Sequence, residues 1–162
     1  SARVLPGGYT RLDISTPMDK LSIVHKELAK SLQFPCKIRY VRMIDRQQGQ
    51  LEKPESYVAV DVSRERLLGL LEDCSDLIYH DGRNQLWILG DSQEQLVLDE
   101  LGMLYVYPDD FMFRDILTQL GWPEMKHESM ADRDYVKVNF TSEADGQEQY
   151  LLQSFGLVRW DG

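Results

Sequence analysis

The sequence predicts an α+β fold, a two-layer sandwich with a mostly antiparallel, curved sheet of about seven or eight strands and about four helices. Three observations predict it. Strand-like runs follow one another across tight-turn signals, at Asp81-Gly82 and at Glu100-Leu101-Gly102, and such turns join antiparallel neighbours. Regular strand–helix alternation, the mark of a parallel sheet, is missing. The helical stretches are apolar along one stripe only, so each has one face to bury against a sheet. With 162 residues, 43% of them hydrophobic, the chain reads as one domain over 1–162 with 1–8 as a flexible lead-in. That length buries about 70% of the surface that the unfolded chain exposes.

The elements follow in order. After Pro6-Gly7-Gly8, Tyr9 to Ile14 sets Leu12 and Ile14 on one side with period two, a first strand. Thr16 is placed to cap a helix, with Pro17 at its first position and Asp19 near the positive end of its dipole. Leu21, Val24, Leu28 and Leu32 form its stripe, and Phe34-Pro35 ends it. Lys37 to Arg46 and Tyr57 to Val62 alternate as strands, with Gln47 to Pro54 between them as a long hairpin loop. Ser63 caps a second helix on Leu67, Leu70, Leu71 and Cys74, weakened by Gly69.

Leu77 to His80, Asp81-Gly82 and Arg83 to Leu89 read as a two-residue hairpin that pairs Leu77 with Leu86 and His80 with Arg83. Gln95 to Asp99 and Met103 to Tyr107 form a second hairpin around a glycine-containing loop. Its core face is Leu96, Leu98, Leu104 and Val106. Asp109 or Asp110 caps a helix carrying Phe113, Ile116, Leu117 and Leu120, which Gly121 closes. A polar stretch from Glu124 to Asp134 leads to a strand over Tyr135 to Phe140. Ser142 opens a last helix through Phe155, stopped at Gly156.

Charge is unevenly spread. Up to Pro54 there are ten Lys/Arg against five Asp/Glu, and the rest of the chain carries eight against 22, within a net charge of -9. Such a split calls for a partner of opposite sign or a fold that sets the two parts face to face. The basic strand Lys37, Arg39, Tyr40, Arg42, Arg46 suits a nucleic-acid-binding sheet in composition only. The pleat sends Lys37 and Arg39 to one face and Tyr40, Arg42 and Arg46 to the other, and the net charge opposes polyanions. Intramolecular pairing with the acidic remainder is the expectation.

Cys36 and Cys74 are too few for a disulfide framework and read as buried, reduced thiols, which points to a cytoplasmic protein. No stretch approaches a membrane span. No cofactor motif occurs: the chain has no phosphate-cradling glycine loop, no nucleophile elbow and no Cys-x-x-Cys. Asp99, Glu100, Asp109, Asp110 and Asp115 do not follow a calcium-loop order, and helix capping and turn formation account for most of them, so no metal is expected. His25 and His127 lack partners at a diagnostic spacing.

Three site hypotheses are carried, of which the nucleic-acid-binding module on the basic N-terminal strand ranks last. An enzymatic one, hydrolase-like, places His80, Arg83 and Asp76 at the end of the first hairpin, a histidine beside a carboxylate and an anion-holding arginine. The preferred one is a non-catalytic, protein-binding domain. The second hairpin turns Val97, Met103, Tyr105 and Tyr107, with Gln95 and Asp99, to the outer face of the sheet. Trp87 joins them, and aromatic residues and methionine are enriched in interface cores. Tyr105, Tyr107, Trp87 and Asp99 are the expected binding residues, and the residual acidity suggests a partner with a basic surface.

Overall fold

The computed structural model describes residues 2–4, 10–45, 49–107, 111–121 and 142–160. Within them lie eight strands and five α-helices: β1 (Ala2–Val4), β2 (Thr10–Ile14), α1 (Leu21–Lys30), β3 (Cys36–Asp45), β4 (Gly49–Val62), α2 (Arg64–Asp73), α3 (Ser75–His80), β5 (Asn84–Leu89), β6 (Gln95–Leu98), β7 (Leu104–Tyr107), α4 (Phe111–Gln119), α5 (Ser142–Ser154) and β8 (Val158–Trp160). The strands form one open antiparallel sheet in the order β1-β2-β7-β6-β5-β3-β4-β8. This is the α+β sandwich expected from the hairpin-rich pattern.

Register divides the sheet into two faces. Leu12, Val106, Leu96, Ile88, Ile38 and Ala59 stand side by side across six strands, and every one is buried. Two residues further along lies a second row, Ile14, Leu104, Leu98, Leu86 and Tyr40, also buried. Because the side-chain period is two, both rows share one face. Apolar side chains of all five helices join them in one core, among them Leu28 of α1, Leu67 and Leu71 of α2, Ile78 of α3, Phe113 of α4 and Leu151 of α5. The described helices therefore cover one face, and none of them covers the opposite face. At the β4 end a register shift and the positive φ of Asp61 let both Ala59 and Val62 turn inward.

Most local expectations hold. The stripe Leu21, Val24, Leu28 and Leu32 is buried. Ser63 Oγ accepts from the Arg66 amide at 3.2 Å and caps α2. The β6–β7 hairpin pairs in the expected register, with Gly102 at φ 81° in its loop. Gly121 and Gly156 close their helices at φ 85° and 89°.

Several differ. Residues 77–80 are helix α3 rather than a strand, so Leu77 does not pair with Leu86, nor His80 with Arg83. Asp-Gly makes a hairpin only between two strands, and here the α2 stripe continues at helical spacing through Cys74, Leu77 and Ile78, all buried. The segment 49–54, expected as loop, belongs to β4. Part of the lead-in is strand β1, paired with β2, and β8 was not anticipated. Thr16 does not cap α1: a 3₁₀ turn, Met18–Lys20, intervenes, with Lys20 N–H donating to Pro17 O at 3.0 Å. The expected strand 135–140, the polar stretch before it, His127 and the caps Asp109 and Asp110 lie outside the described residues.

Candidate binding groove on the open sheet face

The row between the two buried ones faces the other way. From one side of the sheet to the other it reads Asp13, Tyr105, Val97, Trp87, Arg39, Val58, Val158. At the β8 end a groove of about 570 Å³ opens on this face, lined by residues 37–39 of β3, 58–60 of β4, 87–89 of β5, Gln95 and Trp160. Its apolar rim is solvent-facing: Val60 is 57% exposed, Val158 beside it 66% and Trp160 45%.

Arg39 is the centre of the groove. β3 places it in the middle of the sheet, where its guanidinium carbon lies 5.5 Å from the ring centre of Trp87 and 4.9 Å from that of Trp160. Both distances are within the range of cation–π attraction. Its Nε and Nη2 both donate to Ser56 Oγ, at 3.1 and 3.0 Å. Among the described residues no carboxylate reaches it, although the chain holds 27 Asp/Glu against 18 Lys/Arg. Three other arginines of the sheet differ. Arg11 bonds Asp13 at 2.6 Å, Arg42 bonds Glu148 at 3.1 Å and Arg159 bonds Glu55 at 2.5 Å.

The two rings are held by different means. Trp87 Nε1 donates to Gln85 Oε1 at 3.1 Å, and Gln85 Nε2 donates to Glu100 Oε2 at 2.6 Å. A chain of polar contacts from the β6–β7 loop thus fixes the plane of the indole. Trp160 is delivered by β8, whose pairing with β4 sets it opposite Ser56, the acceptor of Arg39. Arg159 turns to the other side, over the Tyr57 ring at 5.6 Å.

The Tyr105 end is built differently. Val97 and Met103 are buried, and Tyr105 and Tyr107 are half-buried. Arg11 stacks on Tyr105 at 4.5 Å. Asp99 Oδ1 accepts the amides of Leu101 and Met103 at 2.9 and 2.8 Å, and Tyr105 O–H donates to its Oδ2 at 3.0 Å. Burial, and then the Asp99 charge, push the Tyr105 hydroxyl above its ordinary range. Burial also raises the Asp99 carboxyl, against the hydrogen bonds that hold it down. Asp99 is therefore the fastening of the hairpin loop, and its oxygens are occupied there. Of the four residues expected to bind, only Trp87 lines the groove.

Comparison with protein-family models, with curated proteins and with solved structures returns no match. The site rests on its own geometry.

The residues of the enzymatic hypothesis are not paired across a hairpin: Asp76 and His80 belong to α3, and Arg83 precedes β5. Asp76 Oδ2 accepts from Gln147 Nε2 at 3.1 Å. His80 ends α3, half-buried. Arg83 is buried on the helix side, where Nε donates to Asp81 Oδ1 at 2.9 Å and Nη1 to Asp145 Oδ1 at 2.7 Å. Glu148 of α5 joins this cluster, 3.9 Å from Arg83, and takes hydrogen bonds from Arg42 and from the Tyr40 hydroxyl. Burial, reinforced by the Glu148 charge, holds the Tyr40 hydroxyl well above its usual range. Burial alone would lower Arg83, but its bonds to Asp81 and Asp145 keep it above the ordinary guanidinium range. This arrangement ties α5 to the end of the sheet.

His25 is packed rather than solvated, fully buried with Nδ1 2.7 Å from the Tyr79 hydroxyl. Both cysteines are buried free thiols. Among the described residues no group of three or more His, Cys, Asp and Glu is placed to hold a metal ion, and no helix is long and apolar enough to cross a membrane.

Sequence reasoning foresaw that Lys37 and Arg39 share a face but missed Trp160. The available signal was Val158-Arg159-Trp160 after Gly156, a three-residue alternation too short to rank as a strand.

Proposed function

We propose that this chain is a non-catalytic binding domain that takes a partner protein on the open face of its sheet, in the groove between Trp87 and Trp160. One observation carries the reading: Arg39 is held between two tryptophans, and no carboxylate among the described residues reaches it. Tryptophan and arginine are the residue types most enriched among those that dominate binding energy. The groove sits beside exposed Val60 and Val158, so its apolar area extends to the sheet edge, as suits a protein surface more than an enclosed small-molecule site. In the enzymatic alternative His80, Arg83 and Asp76 would act together, whereas Arg83 is bonded to Asp81 and Asp145 and Asp76 to Gln147.

The test is selection of short peptides from a displayed random library on the folded protein, followed by titration of the winners against variants. Trp87→Ala and Trp160→Ala should each weaken binding about tenfold or more, the scale of a truncated interface aromatic. Equal affinity for the wild type and both variants, with unchanged urea midpoints, would place the binding surface elsewhere.

A further inference from the structure

Resting on that reading of the groove, we infer that the partner segment is apolar and carries one acidic side chain, whose carboxylate is received by Arg39 with Lys37 at the rim. This reverses the expectation of a basic partner, and the reason is local. Lys37 and Arg39 line the groove, and among the described residues no Asp or Glu does, in a chain with net charge -9. Surface charges more than about 8 Å apart are largely screened at physiological ionic strength, so the lining and not the net charge decides what enters.

The donor count supports a carboxylate. A guanidinium carries five N–H donors. Ser56 Oγ is the acceptor of two nitrogens, Nε and Nη2, so donors remain on Arg39, including both on Nη1. Both tryptophan rings lie within cation–π range of the guanidinium, and its N–H groups all point outward along the edge of its plane, where an acceptor must approach. An edge flanked by apolar walls suits a planar, bidentate anion, and a side-chain carboxylate is the anion a protein segment offers. The fixed rings also hold Arg39 in place before binding, which reduces the conformational entropy lost on association. A nucleic acid fits less well: its phosphates recur at every nucleotide, while the groove offers two cations within an acidic molecule.

The probes are synthetic peptides of one apolar sequence, selected on the groove, with Glu, Gln or Lys at one position. Each has a free or an amidated C-terminus, and a single-stranded oligothymidylate serves as the nucleic-acid probe. Titration should show the Glu peptide binding about ten- to a hundredfold more tightly than its Gln counterpart, the range of one hydrogen bond to a charged group. Arg39→Gln should abolish that preference and leave the weaker apolar binding, and Arg39→Glu should transfer it to the Lys peptide. The Glu-to-Gln change is made on the peptide, so this comparison is independent of how well any variant folds. Equal binding of the Glu and Gln peptides, a preference that survives Arg39→Gln, or one that follows only the free C-terminus would overturn the inference. Tighter binding of the oligothymidylate would do the same. Trp87-dependent binding without acid preference would sink this inference and leave the groove in place, whereas binding insensitive to Trp87 and Trp160 would remove both.

Discussion

Replacing Arg83 by leucine should be among the most damaging single changes that this fold can suffer. The side chains of Arg83, Asp81 and Glu148 are 3%, 0% and 6% exposed, so these three are shielded from water, while Asp145 is 41% exposed. Arg83 contributes close contacts to Asp81 and Asp145, at 2.9 and 2.7 Å, and a longer one to Glu148 at 3.9 Å. Without it, Asp81 keeps only the Arg83 backbone amide on Oδ1, and its Oδ2 is already buried with no hydrogen-bond partner. Removing one member of a buried pair costs about 3–5 kcal/mol, mostly for the charge left behind. That is about a fifth or more of the roughly 5–15 kcal/mol that holds a typical domain folded. Urea unfolding followed by far-UV circular dichroism reads it as a lower midpoint at constant slope. Arg159→Ala is the control: its pair with Glu55 is surface-exposed, and its loss should cost under about 1 kcal/mol. Adding Asp81→Asn to Arg83→Leu should recover part of the loss, because the stranded charge is then gone. If Arg83→Leu changed stability no more than Arg159→Ala, the cluster would be solvated and the account of how α5 is fastened would fail.

Three further outcomes follow from the same coordinates. Burial raises Cys36 and Cys74 to about 11, so the native state keeps two protons that the unfolded chain releases. Stability should therefore fall as pH rises from about 9 towards 11, by up to about 1.4 kcal/mol per pH unit for each thiol, with no such loss at neutral pH. Denaturation midpoints across that range, for the wild type and for Cys36→Ala/Cys74→Ala, give the slope, and equal slopes would refute the assignment. Gly69 and Gly146 lie inside α2 and α5, and a Cβ at either would meet nothing within 4 Å. Gly69→Ala and Gly146→Ala should each raise stability by about 0.5–1 kcal/mol in thermal melts, and a loss would show that the space is not free. Asp99→Ala removes the acceptor of Leu101 N–H, Met103 N–H and Tyr105 O–H and should cost about 1–3 kcal/mol. It should not weaken groove peptides by titration, and a parallel loss of affinity would return Asp99 to the binding surface.

What could be read from the chain was whatever local chemistry decides. The β6–β7 hairpin was legible because Leu96, Leu98, Leu104 and Val106 allow only one register that buries them together. The α1 stripe was legible for the same reason at helical spacing. α3 was misread because Asp81-Gly82 signals a turn whatever precedes it, and the competing evidence, Cys74, Leu77 and Ile78 extending the α2 stripe, spans two helices broken at Cys74. There the backbone leaves helical geometry at φ -113° and ψ 29°. That single misreading put His80 and Arg83 on one imagined face and produced the enzymatic hypothesis. The groove was illegible for a different reason. Arg39, Trp87 and Trp160 come from β3, β5 and β8, and their meeting depends on strand order, which no local pattern encodes.

The pleat explains why the basic N-terminal part ends in two fates. Arg39 and Arg42 lie three residues apart on one strand, an odd spacing that sends them to opposite faces. Arg42 emerges on the helix side, where α5 brings Glu148 and β4 brings Glu55, and its charge is consumed in fastening the fold. Arg39 emerges on the side that no described helix covers. There its neighbours across the sheet are Trp87 and Val58, and the acid-rich second part of the chain supplies it with no carboxylate from any described residue. On the helix side Arg42 is thus neutralised by described carboxylates, while on the other face Arg39 and Lys37 line the groove. On the proposed reading, a partner would be selected by the carboxylate it offers to Arg39 and not by the net charge of the domain.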